Sequence, residues 1–112
     1  MKLPYAESAI VEREKITEYL LNPTHPDNGG KAAFFLSLGF RREDWPRLAT
    51  AFRRLAESVE VNGNVDSSHG QKYIIEGSIE TPGGKTSRVR TVWIVDAGQA
   101  TPRLVTAYPR EE

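Results

Sequence analysis

The stretch 71-QKYIIEGSIETPGGKTSRVRTVWIVD-96 decides the fold, because two runs of alternating side chains flank a turn. In residues 71–80, and more sharply in 87–96, successive side chains alternate between a mainly apolar side and a more polar side. A period of two is typical of β-strands. The sequence TPGG at 81–84 between the two runs is a turn signal. The stretch therefore predicts an antiparallel β-hairpin.

Two further strands are predicted around this hairpin. Residues 103–108 form the last strand, and a shorter strand near 59–65 pairs at one edge. Short polar turns between successive strands favour antiparallel neighbours. We therefore expect a three- to four-stranded antiparallel sheet.

The part of the chain that precedes the sheet has a helical period. Apolar residues recur at helical spacing in 13–21, 31–38 and 45–59, most clearly in the last of these segments. Pro23 ends the first helix, because it disfavours the helical conformation in the residue before it. Helices followed by a β-meander indicate an α+β fold. We expect three N-terminal helices packed on one face of the sheet, within a single domain of residues 1–112.

The composition narrows the class of protein. Lysine plus arginine equals aspartate plus glutamate, 15 each, which argues mildly against a strongly basic nucleic-acid-binding protein. The chain has no cysteine, which excludes a disulfide framework, a thiolate metal site and a cysteine nucleophile. We see no signal pattern and no apolar run of roughly 18 residues. We therefore expect a cytoplasmic protein that does not span a membrane. We also expect no metal and no cofactor.

Recognisable runs are distributed over nearly the whole chain. They are LPYAESAIV near the start, YLLNPTHPDNGGKAAFF and SLGF in the middle, and GQKYIIEG, VRTVWIVDAG and PRLVTAYP toward the end. In this order they resemble a small bacterial domain family of uncharacterised function, which occurs alone and as a C-terminal module of phage-associated and secreted toxin-like proteins. The layout also resembles the ribonuclease toxins barnase, colicin D and RelE, a likeness of fold and not of function.

This resemblance implies a toxin-type domain that acts as a metal-independent endoribonuclease, with RNA and an immunity protein or antitoxin as partners. Such a reaction needs a base, an acid and cations that stabilise charge at the phosphorus. Histidine suits the first two roles because it titrates near neutral pH. The residues expected to be catalytic are His25, His69, Lys72 and Arg90. Residues expected to bind the substrate are Lys31, Thr91, Thr106 and Tyr108.

The loop 22-NPTHPDNGGKAAFF-35 has two interpretations. Lys31 follows Gly29 and Gly30 at the start of a helix, where free N–H groups attract an anion. The spacing differs from the phosphate-binding pattern GxxxxGK[ST], and Ala32 replaces the required hydroxyl, which argues against a nucleoside triphosphatase. As a connector, the loop is explained by a turn at 27–30.

Structural explanations of the same residues stay open. His25 and His69 each lie in a loop, where a backbone hydrogen bond would simply fix the local conformation. Arg90 is also placed to form an ion pair with Glu76. An outward sheet face that mixes Arg90 with Val92 suits a ligand cleft, a dimer surface or a cover formed by the N-terminal segment. The alternative function is therefore a non-catalytic protein-interaction, immunity-like or accessory module, with a small-ligand sensor as a third possibility.

Overall fold

The computed structural model describes residues 1–27 and 30–110, and it contains the predicted hairpin. Four antiparallel strands lie in the order β1-β2-β3-β4. They are β1 (Gly63–Ser67), β2 (Gly70–Glu80), β3 (Thr86–Asp96) and β4 (Arg103–Pro109). The predicted α+β class with a four-stranded antiparallel sheet is confirmed.

The helical layer differs from the prediction of three helices. In the described part of the chain it has two α-helices, α1 (Lys31–Ser37) and α2 (Trp45–Ser58), with short 3-10 turns at Ala6–Ser8 and Arg42–Asp44. The first predicted helix is replaced by a π-helical turn at Lys15–Leu20. Its backbone is widened by a hydrogen bond from the amide of Leu21 to the carbonyl of Ile16, five residues earlier, at 2.8 Å.

The π-helical turn and the residue after it contribute to the core. Ile16, Leu20 and Leu21 are all fully buried there. Apolar periodicity alone cannot distinguish the π-helical turn from a helix, because both bury residues four apart.

The core lies between the sheet and α2. Trp93 of β3 and Phe52 of α2 are fully buried, as expected from the alternation of β3 and the helical stripe of α2. α2 packs directly on β2 at Gly77. A Cβ atom at Gly77 would lie 2.6 Å from Cδ1 of Leu55, so a side chain at this position would force Leu55 to shift.

The edge at β4 is shaped by a bulge and by the N-terminal segment. The pairing of β3 with β4 shifts register between Val92 and Trp93, which are opposite Thr106 and Leu104. Ile10 lies beside β4, where its amide donates to the carbonyl of Pro102 at 2.8 Å. Such bulges re-aim neighbouring side chains. Here Thr106 shares the side of Val92, away from the core.

No helix among the described residues is long and apolar enough to cross a membrane. Within the same ranges, no group of three or more histidines or carboxylates could hold a metal ion. The predicted turn at 27–30 includes Asn28 and Gly29, which lie outside the described residues.

Candidate functional site

Five side chains from four elements meet on the outer side of the β4 edge. The π-helical turn provides Tyr19, α1 begins with Lys31, and β3 provides Arg90, while Thr106 and Tyr108 come from β4. We call these five residues the Tyr108 cluster. Strand pairing accounts for part of the arrangement, because Tyr108 lies directly opposite Arg90 in the sheet.

Tyr19 lies at the centre of the hydrogen bonds in the Tyr108 cluster. Nζ of Lys31 donates to the Tyr19 hydroxyl at 2.9 Å, and Oγ1 of Thr106 lies 3.3 Å from the same oxygen. Nζ of Lys15 lies 5.2 Å from the Tyr19 ring centroid. Partial burial alone would raise the pKa of Tyr19. The hydrogen bonds from Lys31 and Thr106 and the charges of both lysines outweigh it, so the pKa lies below its ordinary value.

Tyr108 connects this group to Arg90. Nζ of Lys31 lies 5.9 Å from the centroid of the Tyr108 ring, and Cζ of Arg90 lies 5.8 Å from it. Arg90 also makes a long hydrogen bond from Nη1 to the Tyr108 hydroxyl, at 3.4 Å. Two cations therefore approach one half-buried aromatic ring, within the range of cation–π attraction.

Glu76 of β2 anchors the other side of Arg90. Only 12% of the Glu76 side-chain surface is exposed, and its Oε2 accepts hydrogen bonds from Nε of Arg90 and, at 2.9 Å, from Nε of Arg110. Burial would raise the pKa of Glu76. The two guanidinium groups outweigh burial and hold that pKa below its ordinary value. The predicted Arg90–Glu76 ion pair is present, so Arg90 is held in one orientation beside Tyr108.

His25 lies next to the Tyr108 cluster. Its ring packs edge-on against Tyr19, with the ring centroids 5.0 Å apart. The backbone amide of Asp27 donates to Nδ1 of His25 at 3.0 Å. Since Nδ1 accepts, the neutral ring carries its proton on Nε2. The backbone hydrogen bond expected for a structural histidine is thus present, and Nε2 can act as a donor.

Cations are concentrated at the Tyr108 cluster. Lys15 and Lys31 lie beside its tyrosine rings, and Arg90 and Arg110 bind the Glu76 carboxylate, although the chain as a whole has a net charge of zero. A groove of about 430 Å³ opens beside it. Its lining residues are Gly30, Lys31, Tyr108 and Pro109. A local cationic surface on a neutral protein attracts anions to that place.

Two of the predicted catalytic residues lie at the other end of the sheet. His69 is in the β1–β2 turn, and its carbonyl accepts from the amide of Ala97, just after β3 ends. The adjacent Gly70 pairs with Asp96, six residues along β3 from Arg90, which corresponds to roughly 20 Å. The predicted two-histidine site is therefore not formed.

Lys72 and Thr91 are also not part of the Tyr108 cluster. Lys72 is exposed on β2 opposite Ile94, which is four residues along β3 from Arg90. Thr91 is completely buried on the core face, where its hydroxyl donates to the carbonyl of Ile75 at 2.9 Å. The same hydroxyl accepts a hydrogen bond from Nε1 of Trp93 at 2.9 Å. Thr91 therefore provides hydrogen-bond partners for buried groups of the core and cannot contact a substrate.

Two features at the Tyr108 cluster were not identified from the sequence. One is Tyr19, and the other is the binding of both Arg90 and Arg110 by Glu76. Tyr19 is not among the residues expected from the sequence to be catalytic or to bind the substrate. The available signal was the spacing of Lys15 and Tyr19, which are four residues apart and therefore adjacent on a helical surface. The contact of Tyr19 with Thr106 spans 87 residues and has no signature in the local sequence.

The fold and the surface together define an α+β domain whose four-stranded meander carries a cationic and aromatic groove at one edge. The chain belongs to the DUF6883 family, described as a domain of unknown function, which matches residues 2–111.

The fold is also similar to a chain from the contact-dependent growth inhibition toxin–immunity protein complex of Klebsiella pneumoniae 342. The likeness covers 96% of this chain and 97% of the other, with a TM-score of 0.74 and 16% sequence identity. At this identity it shows the shared fold alone. No curated protein matches the chain at a significant level.

Proposed function

We propose that this domain is a toxin-type, metal-independent endoribonuclease and that the Tyr108 cluster is its active site. One observation carries the proposal: a phenol with a lowered pKa is hydrogen-bonded to a lysine within a local concentration of cations. RNA cleavage needs proton transfer and charge stabilisation at one phosphate, and this group supplies both. The similarity in fold to a chain of a toxin–immunity complex supports the toxin class.

The geometry suggests a role for each side chain. Tyr19 acts as the base in its phenolate form, which the hydrogen bond from Lys31 stabilises, and takes the proton of the ribose 2′-hydroxyl while the 2′-oxygen attacks the phosphorus. The bond from phosphorus to the 5′-oxygen breaks, and the Lys31 ammonium gives a proton to this leaving oxygen. The products are a 2′,3′-cyclic phosphate and a free 5′-hydroxyl. Proton transfer across the 2.9 Å hydrogen bond from Tyr19 to Lys31 then restores both groups.

The remaining residues of the proposed site bind and orient the RNA. The Arg90 guanidinium, held by Glu76 and Tyr108, neutralises charge on the non-bridging phosphate oxygens. Nε2 of His25 donates a hydrogen bond to the substrate, while Nδ1 stays occupied by the amide of Asp27. Thr106 keeps the Tyr19 hydroxyl in place. This scheme uses His25 as a donor and not as the base, and it needs no second histidine.

The test is cleavage of a total-RNA mixture by the purified protein in the presence of EDTA. We expect cleavage, and we expect Tyr19→Phe to reduce its rate by roughly 10²- to 10⁴-fold, the usual contribution of acid–base catalysis. Tyr5→Phe is the matched control, because Tyr5 is 58% exposed and outside the cluster. The proposal fails if the wild-type protein leaves RNA intact, or if Tyr19→Phe cleaves as fast as the wild type.

The pairing of Arg90 with Glu76 favours a second candidate function. A cation already neutralised by a protein carboxylate suits a non-catalytic, immunity-like module that binds a protein partner through this surface. The same assay separates the two functions. A non-catalytic module leaves RNA intact and is produced without a protective partner, whereas an active toxin is difficult to express alone.

A further inference from the structure

The Tyr108 ring has the surroundings of a stacking platform. It is half-buried and lines the groove of about 430 Å³ together with Pro109 and Lys31. Gly30, which has no side chain, lines the same groove next to Lys31. A flat ring next to open space, with Lys31 and Arg90 each within 6 Å of its centroid, can take a planar group and an adjacent anion together.

A nucleotide with an unpaired base has this combination of groups. Proteins that bind single-stranded nucleic acid place bases on aromatic side chains and phosphates beside cations. In a duplex the faces of the bases are covered by their neighbours, so Tyr108 could be used only after unstacking, which costs a few kcal/mol.

We propose that Tyr108 stacks on one unpaired base, so that the groove selects single-stranded or looped RNA over duplex RNA. The proposal rests on the proposed function, since it names the substrate class of the same site. In the proposed complex, Lys31 and Arg90 bind phosphate through their charges, whereas the uncharged Tyr108 ring binds the base by stacking. Salt separates these two contributions, because only ionic contacts release counterions.

The probe is a labelled 2′-O-methyl oligoribonucleotide of roughly ten nucleotides, which fits the usual site sizes. It is measured by fluorescence anisotropy as a single strand and as a duplex with its complement. Its capped 2′-oxygen cannot attack the phosphorus, so binding is read independently of cleavage. We expect the single strand to bind more tightly than the duplex.

Variants of Tyr108 test the stacking contact directly. Tyr108→Leu should weaken single-strand binding roughly 5- to 150-fold, the range measured for loss of one stacked base, and leave duplex binding unchanged. Tyr108→Phe keeps the ring but loses the hydroxyl that accepts from Arg90, so it should recover most of the single-strand binding lost in Tyr108→Leu, which also guards against a folding defect in the leucine variant. Tyr5→Leu is the matched control, because this exposed tyrosine lies outside the groove.

The salt dependence completes the test. Tyr108→Leu should keep the slope of log affinity against log salt concentration, whereas Lys31→Met should reduce that slope by about 0.7. Equal affinity for single strand and duplex, or unchanged single-strand binding by Tyr108→Leu, would overturn the stacking proposal. Selective binding of the probe without cleavage of ordinary RNA would contradict the endoribonuclease alone. Absence of binding to both probes would overturn the two proposals together.

Discussion

β3 takes part in two similar arginine–carboxylate pairs in different surroundings. In the middle of the strand, Arg90 binds Glu76, whose side chain is only 12% exposed. At its C-terminal end, Asp96 is bound by Arg103 through two hydrogen bonds of 2.7 and 3.0 Å, and the side chains of Arg103 and Asp96 are about a third exposed, 37% and 33%. The opposite charges of Arg103 and Asp96 neutralise each other at the end of the sheet where β3 finishes.

The difference lies in what surrounds each pair. Glu76 is shared by Arg90 and Arg110, and the Tyr108 ring beside Arg90 is also approached by Lys31. Beside Asp96 lies the turn of His69, whose side chain contacts the adjacent Ser68 at 3.3 Å. The proposed site therefore lies at the pair that adjoins a cluster of cations and tyrosine rings.

The largest expected effect distinguishes two lysines, Lys31 in the Tyr108 cluster and Lys72 on β2 toward the His69 end of the sheet. Lys31→Met should reduce RNA cleavage by roughly 100- to 1,000-fold, as expected for loss of one preorganised donor to the developing charge. Lys72→Met should leave the rate unchanged, because Lys72 is exposed on β2 opposite Ile94. Initial rates on one RNA substrate measure both. A comparable loss in Lys72→Met would place the active site at the His69 end and reverse the comparison.

The two carboxylates should differ in their contribution to stability. Glu76→Gln leaves two guanidinium groups without their counter-charge, and we expect it to lower the free energy of unfolding by roughly 1–3 kcal/mol. Asp96→Asn should have a smaller effect, because that pair is more exposed. Urea unfolding measures both variants. An equal or larger loss in Asp96→Asn would contradict the difference in burial.

The same variant has a defined pH dependence. The folded-state pKa of Glu76 lies below the ordinary glutamate value of about 4.3, so the unfolded chain takes up this proton first as the pH falls. Its stabilisation is complete above that value and is lost as the pH falls through the folded-state pKa. The difference between wild type and Glu76→Gln should therefore be largest near neutral pH and shrink in acid. A difference that grows in acid would show that the pKa is raised instead.

A spectroscopic titration should show that Lys31, and not Lys72, controls the pKa of Tyr19. Lys31→Met removes a hydrogen bond and a charge from Tyr19, so the pKa of Tyr19 should rise toward its ordinary value. The near-ultraviolet absorbance of tyrosinate, titrated with Tyr19→Phe as the reference, isolates this group. Lys72→Met should leave the Tyr19 titration unchanged. If Lys31→Met does not move it, the hydrogen bond does not control the phenol.

The smallest effect concerns the two histidines. His25→Ala removes an acceptor for the Asp27 amide and a ring contact with Tyr19, and we expect a loss of about 1 kcal/mol. His69→Ala should change stability by less than about 0.5 kcal/mol, because the residue is exposed in a turn. Thermal unfolding of both variants makes the comparison. A larger loss in His69→Ala would show that the β1–β2 turn is fixed by this ring.

The fold was predictable where one local pattern dominates. The alternation in 71–96 gave the hairpin, and the stripe of Leu48, Phe52 and Leu55 gave α2 to within about one residue. The segment 13–21 was not predictable in detail, because its apolar spacing fits a regular helix and a π-helical turn equally, and its buried residues pack against residues that are distant in sequence.

The site was predictable only in part, for a topological reason. Lys31, Arg90, Thr106 and Tyr108 were identified as chemically suitable, and the structure brings them together. His69 was grouped with them because the sequence gives residue types and not the end of the sheet at which a turn lies. In a four-stranded meander, the β1–β2 and β3–β4 turns share one end, whereas β4 terminates at the other.

The hydrogen bond between Tyr19 and Thr106 also bears on when the Tyr108 cluster comes into existence during synthesis. These residues are 87 positions apart, and Thr106 and Tyr108 belong to β4, the last of the four described strands. A nascent chain that has not yet released β4 from the ribosome carries Tyr19 and Lys31 but no groove. Co-translational folding thus keeps this surface incomplete until β4 has emerged, and premature termination before β4 yields a product that lacks it.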